Sequence, residues 1–218
     1  MPAALFFMMW MNGVLFIHLI QLIACMKITE IKGNQPGPHK GGLLLSEPFL
    51  DDPNFRRTVV LLCEHNEEGS VGFVVNRLLS VTTSELVPDM LENDYPVFYG
   101  GPVEPNTLHY LYRSTIKVPE ARHILHDLYW GGDIEELNAL LRSGELPQQH
   151  IRFFVGYSGW APQQVEEEID QLAWWTAHLR RPDWIFDDDI DSMWGNIVKQ
   201  LGKDYAHMAN APEDPQWN

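Results

Sequence analysis

The sequence has few cysteines and few basic residues, and each shortage excludes a class of protein. Its two cysteines, Cys25 and Cys63, are too few for a disulfide scaffold, and Cys63 lies in an apolar run that favours a small buried side chain. Only 15 Lys and Arg residues stand against 30 Asp and Glu residues, so the net charge is −15. Such an acidic surface repels nucleic-acid phosphates and anionic lipid headgroups, which argues against direct DNA binding.

The positive charges that are present are dispersed along the chain. The densest clusters are the dipeptides Arg56-Arg57 and Arg180-Arg181, from which we expect no basic surface. The sequence has no P-loop, no dinucleotide-binding fingerprint, no kinase signature and no internal repeat. From these patterns we expect no cofactor.

The composition is otherwise that of a globular protein with one core. Hydrophobic residues make up 45% of the 218 residues and charged residues 21%, which argues against disorder. This length suits a single domain, and no linker-like segment divides the chain. Most of the eight tryptophans should anchor the core, because a buried indole removes a large apolar area from water.

The first 25 residues contain no Asp, Glu, Lys or Arg, and residues 3–25 form an apolar stretch long enough to span a bilayer. Three explanations fit: a membrane anchor, an export signal that ends in the lipoprotein-like Leu22-Ile23-Ala24-Cys25, or a misassigned translation start. A signal peptide requires a basic residue before its apolar stretch, and none is present here. Met26-Lys27 is typical of a cytoplasmic start. We favour the misassigned start, with residues 26–218 as one cytoplasmic domain that has no membrane association. Translation of residues 1–25 would instead make the protein a lipoprotein or anchor it in a membrane.

The spacing of apolar residues predicts strands and helices without regular βαβ alternation. Strands are predicted at residues 42–45, 57–63, 71–76, 97–99, 108–112 and 151–157. The second and third of these should form a hairpin around a Gly-containing loop. A helical turn is predicted at residues 83–87, and longer helices at residues 133–143, from Pro162 along an apolar stripe to Trp175 or Thr176, and from about Asp191 to Leu201. This pattern predicts an α+β fold with mainly antiparallel pairing.

Four segments carry a resemblance to a known family. They are residues 41–77, residues 99–105 (YGGPVEP), residues 152–169 (RFFVGYSGWAPQQVEEEI) and residues 211–218 (APEDPQWN). Their order and spacing resemble those of the YqgE/AlgH family. The resemblance implies an α+β fold whose largely antiparallel, bifurcated sheet forms a pseudo-barrel with flanking helices. It also implies a link to transcription, because some members are described as regulators of exopolysaccharide gene expression, but it implies no catalytic residues.

A first candidate site is the segment Gly156-Tyr157-Ser158-Gly159-Trp160, between a predicted strand and a predicted helix. A serine on such a turn resembles the G-x-S-x-G nucleophile elbow of hydrolases, but Trp160 stands where the last glycine should be. A serine nucleophile also needs an acid and a histidine base, for which the sequence offers His65, His109 and His150. We interpret the segment as a strand-to-helix turn and keep Tyr157, Ser158 and Trp160 as candidate binding residues.

A second candidate site consists of polar residues at the ends of predicted strands. Glu64 and His65 end one strand of the predicted hairpin, and Asn76 and Arg77 end the other. Antiparallel pairing places these ends at opposite extremes of the hairpin or across one sheet face, and the sequence does not decide between them. If they converge with the turn at Gly100-Gly101-Pro102, they form a polar pocket for a small ligand. Otherwise they satisfy backbone groups at strand ends.

Two further polar clusters do not support a metal site. His123 and His126 would share a helix face, but no third ligand lies nearby in the sequence, and zinc needs three or four. Residues 187–191 are acidic but lack the Gly and Glu of a calcium loop, so we expect them to cap the helix that follows.

The acidic composition, the incomplete catalytic set and the family resemblance lead to one hypothesis. We expect a non-enzymatic module that binds a protein partner or a small ligand and influences gene expression indirectly. The alternative is a hydrolase that uses Ser158 or the His65 region. Hydrogen-bond contact between Ser158, a histidine and an acid in the structure would favour the hydrolase.

Overall fold

The computed structural model describes residues 35–210, and residues 36–210 belong to one compact unit. The predictions for residues 1–25, the start at Met26 and the family-like segment at residues 211–218 all lie outside the described residues. Within the described range, no helix is both long enough and apolar enough to cross a membrane.

Strands and helices alternate irregularly along the described chain. The strands are β1 (Gly42–Ser46), β2 (Val59–Asn66), β3 (Gly69–Val74), β4 (Leu78–Thr82), β5 (Pro96–Tyr99), β6 (Val103–Arg113), β7 (Arg122–Leu125), β8 (Leu128–Trp130), β9 (Ile151–Trp160) and β10 (Trp174–His178). The α-helices are α1 (Thr83–Leu86), α2 (Ile134–Ser143), α3 (Gln164–Asp170), α4 (Ile190–Leu201) and α5 (Lys203–Ala206). Short 3-10 turns lie at Gln148–His150, Pro182–Phe186 and Met208–Asn210. The fold is α+β, as predicted.

The strands form one large sheet that divides at β9. Its main path follows the order β10-β1-β2-β3-β9-β6-β8-β7 with antiparallel pairing. On its other branch, residues 153–155 of β9 pair in parallel with β5, and β5 pairs with β4. The later residues 158–160 of β9 pair with β3. This division confirms the bifurcated, largely antiparallel sheet that the resemblance implies.

Gly156 lies at the point where β9 divides the sheet. Its φ of +65° is in the left-handed region that favours glycine. A Cβ atom at this position would lie 2.5 Å from the Gly101 carbonyl oxygen. Any other residue here would therefore be strained and would push the segment at residues 101–105 away from β9.

The sheet curls until β7, at one end of its main path, approaches β1 and β2 near the other end. Arg122 of β7 donates from Nη1 to Oε1 of Glu64 on β2 at 2.8 Å. Gly41, which precedes β1, lies so close to Leu125 of β7 that an added Cβ atom would be 3.2 Å from that side chain. Pairing among the described strands does not close the circle, so the sheet is a pseudo-barrel.

Helices cover apolar faces of this sheet. Leu137 of α2 is fully buried in a cluster with Tyr95, Val97, Tyr112 and Phe153. Val165 of α3 is fully buried in a second cluster with Leu44, Val60, Trp160 and Trp174. Burial of each aliphatic side chain of this size contributes about 1.5–3 kcal/mol, so these faces fix where the helices lie.

Two of the predicted helices are confirmed with their ends. Asp133 caps α2 by accepting hydrogen bonds from the Glu135 and Glu136 N–H groups, and Gly144 ends the helix with φ of 75°. Asp189 caps α4 through the Ser192 N–H, and the helix ends at Leu201 before Gly202. The predicted hairpin is also confirmed as β2 and β3.

The long helix predicted from Pro162 to Trp175 is wrong in its second half. Helix α3 ends at Asp170, Leu172 has φ of 64°, and Trp174 begins strand β10. All five residues of β10 pair with β1, and four of them are buried, Trp174 and Trp175 among them. A strand that is buried on both faces lacks the alternation of polar and apolar residues that identifies a strand. The apolar residues of β10 therefore matched the helical spacing by coincidence, and the predicted helix was too long.

The segment Ser158–Trp160 was predicted as a turn and instead continues β9, because Trp160 and Ser158 pair with Ser70 and Gly72 of β3. Residues 122–130, in which a helical His pair was considered, form the β7–β8 hairpin with His126 at φ of 50° in its turn. Strand β4 was not predicted. For residues 158–160 the deciding partner is a strand more than 80 residues away, whereas β7 and β8 pair with each other across a short turn.

Helix α4 is tied to the sheet by a buried arginine and a tryptophan. Arg152 of β9 is 6% exposed and donates to the Val75 and Asp187 carbonyl oxygens, both at 2.9 Å. Its guanidinium lies 4.0 Å from the centre of the Phe98 ring. Burial lowers the pKa of Arg152 to about 10, which leaves it charged at neutral pH. The Trp194 indole donates to the Ser46 carbonyl oxygen at 3.0 Å.

We predict that Arg152→Met lowers the free energy of unfolding by about 2–4 kcal/mol, because two carbonyl oxygens lose a charged donor in or next to the core. Urea unfolding followed by tryptophan fluorescence measures this. The control is Arg142→Met, since Arg142 is exposed and meets Glu92 at 3.4 Å, a contact that contributes at most about 1 kcal/mol. Equal losses in the two variants would contradict the structural role of Arg152.

Candidate functional site

A pocket of about 350 Å³ lies between the loop at residues 53–58, the residues that follow β3, and α4. We call it the basic pocket. One wall consists of Arg56, Arg57, Thr58, Asn76 and Arg77. The other consists of Ala209 and, from α4, Ile190, Asp191, Ser192, Trp194, Gly195, Asn196 and Lys199.

Asn76 fixes the loop at the point where it enters β2. Its Oδ1 accepts a hydrogen bond from the Val59 N–H at 2.8 Å, and its Nδ2 donates to the Arg57 carbonyl oxygen at 3.0 Å. Arg57 has φ of 51°, an uncommon conformation for a residue with a side chain. The carboxamide of Asn76 therefore replaces the strand pairing that ends at Val74 and holds Arg57 in this conformation.

Arg77 fixes the rest of the loop. It donates to the Pro53 and Asn54 carbonyl oxygens, both at 2.9 Å, and to the Arg56 carbonyl oxygen at 3.3 Å. Its guanidinium lies 5.7 Å from the centre of the Tyr99 ring, and the Tyr99 hydroxyl donates to Asn54 Oδ1 at 2.8 Å. These contacts define the shape of one pocket wall without the help of a ligand.

The opposite wall is built on Trp194 of α4. The Arg57 guanidinium lies 5.1 Å from the centre of the Trp194 ring, so a cation–π contact joins the two walls. Asn196 donates to Ser192 Oγ at 2.8 Å along the helix surface. Lys199 is exposed one turn further on, and Asp191 is exposed in the first turn.

The electrostatic character of the pocket was not foreseen from the sequence. Four cationic side chains, Arg56, Arg57, Arg77 and Lys199, face one carboxylate, that of Asp191. The expectation that the chain has no local basic surface is therefore wrong. The arginine dipeptide is joined by cations 20 and more than 100 residues away in the sequence, and only the fold brings them together. Chemically, the arrangement favours an anion.

Glu64 and His65 do not join this pocket. Because β2 and β3 are antiparallel and His65 pairs with Ser70, they lie at the opposite end of the hairpin from Asn76 and Arg77. The six residues of β3 separate the two ends by roughly 17 Å. The sequence left two arrangements open, and the structure has the one in which the ends are apart.

At that end, Glu64 is occupied by its ion pair with Arg122. His65 Nδ1 lies 2.8 Å from Ser70 Oγ, and its Nε2 lies 3.5 Å from Oε1 of Glu166. Ser70 is only 5% exposed and its strand is paired on both sides. These contacts join His65 of β2 to Ser70 of β3 and leave the serine hydroxyl shielded from solvent.

Gly100, Gly101, Tyr157 and Ser158 lie together, at the division of the sheet. Ser158 is fully buried, and its hydroxyl donates to the Gly100 carbonyl oxygen at 3.0 Å. A Cβ atom on Gly101 would lie 2.4 Å from Ser158 Oγ, so the glycine is required by close packing. Tyr157 packs its ring 5.8 Å from that of His109, whose pKa is lowered by burial.

Trp160 belongs to the core next to α3. It is 7% exposed, and its indole donates to Oε2 of Glu168 at 2.9 Å. The Trp174 indole donates to the same oxygen at 2.7 Å. A side chain held in this way offers little surface to a partner.

The His123 and His126 pair is not assembled as a metal site. The His123 ring contacts the His126 carbonyl oxygen at 2.8 Å across the β7–β8 turn. Across residues 35–210, no group of three or more His, Cys, Asp and Glu side chains is close enough to hold a metal ion.

Comparison with known proteins places this chain in a family. Residues 43–206 match the sequence profile of a family described as AlgH-like. A UPF0301 protein from Cytophaga hutchinsonii is 41% identical over 180 residues, which cover 82% of this chain and 98% of that protein. A UPF0301 protein from Chlorobium luteolum is 42% identical over 178 residues, which cover 82% of this chain and 94% of that protein. The chain belongs to the AlgH-like family.

Solved structures agree with the AlgH-like fold. The solution structure of the AlgH protein from Pseudomonas aeruginosa is similar with a TM-score of 0.64 at 27% identity, over 82% of this chain and 97% of that one. A crystal structure of a Corynebacterium diphtheriae protein has a TM-score of 0.68 at 20% identity, over 82% of this chain and 95% of that one. At that identity the second match concerns the fold alone.

In this AlgH-like protein we predict that Arg77→Met loosens the loop at residues 53–58. The Phe55 and Arg56 N–H groups, which donate to the Asp52 carbonyl oxygen, should exchange with solvent about tenfold faster because three carbonyl anchors are lost. Hydrogen exchange resolved by NMR measures this. The matched control is Arg181→Met, since Arg181 is exposed and meets Asp183 at 3.5 Å. Unchanged exchange at Phe55 and Arg56 would contradict the anchoring role of Arg77.

Proposed function

We propose that this AlgH-like protein is a non-enzymatic, cytoplasmic binding module whose ligand occupies the basic pocket, and that it influences gene expression indirectly. One observation carries the proposal. In a chain with a net charge of −15, four cationic side chains line one pocket of about 350 Å³. Such a concentration of like charge opposes folding unless something offsets it, and a bound anionic group does so.

The construction of the pocket supports binding without chemistry. Arg77 and Asn76 are occupied by backbone atoms, so the walls keep their shape in the absence of a ligand and the ordering cost of binding is low. Ser192 is the hydroxyl-bearing residue that α4 contributes to the lining, and its hydroxyl donates to the capping residue Asp189. The pocket lining contains neither Cys nor His, the usual side chains of nucleophilic and base catalysis.

The proposed link to gene expression is indirect for two reasons. The resemblance to regulators implies a link to transcription but no mechanism. A pocket of about 350 Å³ suits a small molecule, whereas a protein that reads duplex DNA needs an extended basic surface. The overall excess of acidic residues works against such a surface.

A hydrolase is the alternative, and the contact of His65 with Ser70 and Glu166 is the observation in its favour. The burial of Ser70 and the strand pairing on both its sides argue against it, since a nucleophile must reach its substrate. Ser158, the other candidate nucleophile, donates to a backbone carbonyl instead of to a histidine. Hydrolysis of p-nitrophenyl acetate that is lost in Ser70→Ala, with the fold unchanged, would favour the hydrolase.

We predict that the full-length protein, purified gently from its own host, carries a non-covalent small molecule, because its pocket is preformed and charged. Native mass spectrometry detects the added mass. Lys199→Glu should remove it, because a negative charge then faces the ligand. Lys203→Glu is the matched control: it makes the same charge change at an exposed position outside the pocket.

Loss of the added mass in Lys199→Glu alone supports binding in the pocket. No added mass in the wild type, or an added mass that both variants keep, would contradict the proposed site.

A further inference from the structure

We propose that the basic pocket recognises the phosphate group of a small phosphorylated molecule. This inference rests on the proposed function and adds the chemical class of the ligand. It follows from three features of the pocket: the number of its cations, their remaining hydrogen-bonding capacity, and the size of the space between them.

The number of cations favours a doubly charged group. Among the lining residues, the only carboxylate beside these four cations is Asp191, and positive charge remains in excess even when Asp51, which pairs with Arg56 outside the lining, is also counted. A single carboxylate ligand would leave most of this excess uncompensated. A phosphate monoester carries a charge of about −2 at neutral pH and offers three acceptor oxygens, so it neutralises more charge within the same volume.

The cations differ in what they can donate. Arg77 contributes its charge, since its guanidinium is directed at three loop carbonyls. The Arg56 side chain is 50% exposed, and its ion pair with the fully exposed Asp51 is long, at 4.0 Å. Such an exposed pair is weak, so the guanidinium of Arg56 can turn to a phosphate at little cost. Lys199 is exposed on the facing wall and adds three N–H donors.

The distribution of the cations over two walls suits a tetrahedral group. Arg56 approaches from the loop and Lys199 from α4, so their donors can reach different oxygens of one phosphate. The planar fork of arginine matches two phosphate oxygens, and the ammonium group of lysine acts as a point charge. Asp191 is the one acidic residue of the lining, and its exposure lets its charge be screened by solvent.

The size of the pocket limits the rest of the ligand. A volume of about 350 Å³ is near the lower end of the range for small-molecule sites, roughly 300–1,000 Å³. It accommodates a phosphate with a small body such as a pentose. Ile190 and Gly195, which are half-buried in the lining, supply less polar surface for that body.

Isothermal titration calorimetry at constant ionic strength tests the inference with three probes: inorganic phosphate, ribose 5-phosphate and ribose. We expect both phosphate-bearing probes to bind and ribose to give no heat of binding. Arg56→Glu should weaken binding of ribose 5-phosphate at least tenfold. The matched control Arg180→Glu makes the same charge change at an exposed position outside the pocket and should leave affinity within about twofold. Circular dichroism confirms that each variant folds.

The outcomes separate this inference from the proposed function. Pocket-dependent binding of ribose 5-phosphate supports both. If neither phosphate probe binds, but the mass carried by the purified protein is still lost in Lys199→Glu, the pocket is a binding site and the phosphate assignment is wrong. Equal weakening by Arg56→Glu and Arg180→Glu would mean that the probe responds to overall charge, which also overturns the assignment.

Discussion

Side-chain hydrogen bonds to the backbone of one loop are the interaction on which the basic pocket depends. Asn76 and Arg77 make five such bonds, one to the Val59 N–H and four to the carbonyl oxygens of residues 53, 54, 56 and 57. A loop of this kind must satisfy its own polar groups, and here two residues at the end of a strand do so. Because those anchors are internal to the protein, Arg56 and Arg57 are held at the rim whether or not a ligand is present.

The facing wall follows the same principle. Arg152 donates from the sheet to the segment that precedes α4, and Trp194 donates from α4 back to β1. Helix and loop are therefore each tied to the sheet and meet where Arg57 lies over Trp194. A site whose walls are fixed in this way loses little conformational entropy on binding, so the charge it concentrates is available to the ligand.

The fold was largely predictable and the site only partly so. Local signals placed the β2–β3 hairpin and the caps of α2 and α4, whereas β10 was missed because its pairing with β1 is decided more than 100 residues away. Asn76 and Arg77 could be found because polar residues that end an apolar strand stand out. Lys199 could not, since no local pattern relates it to Arg56. The distance between His65 and Asn76 required strand register, which the sequence did not decide.

The central claim is that phosphate binds between the loop and α4, and an NMR titration with ribose 5-phosphate tests it most directly. The account predicts that the largest amide shifts occur at residues 56–58 and 195–196, with saturation as the probe is added. Shifts centred on His65 and Ser70, or small shifts spread evenly over the surface, would contradict it.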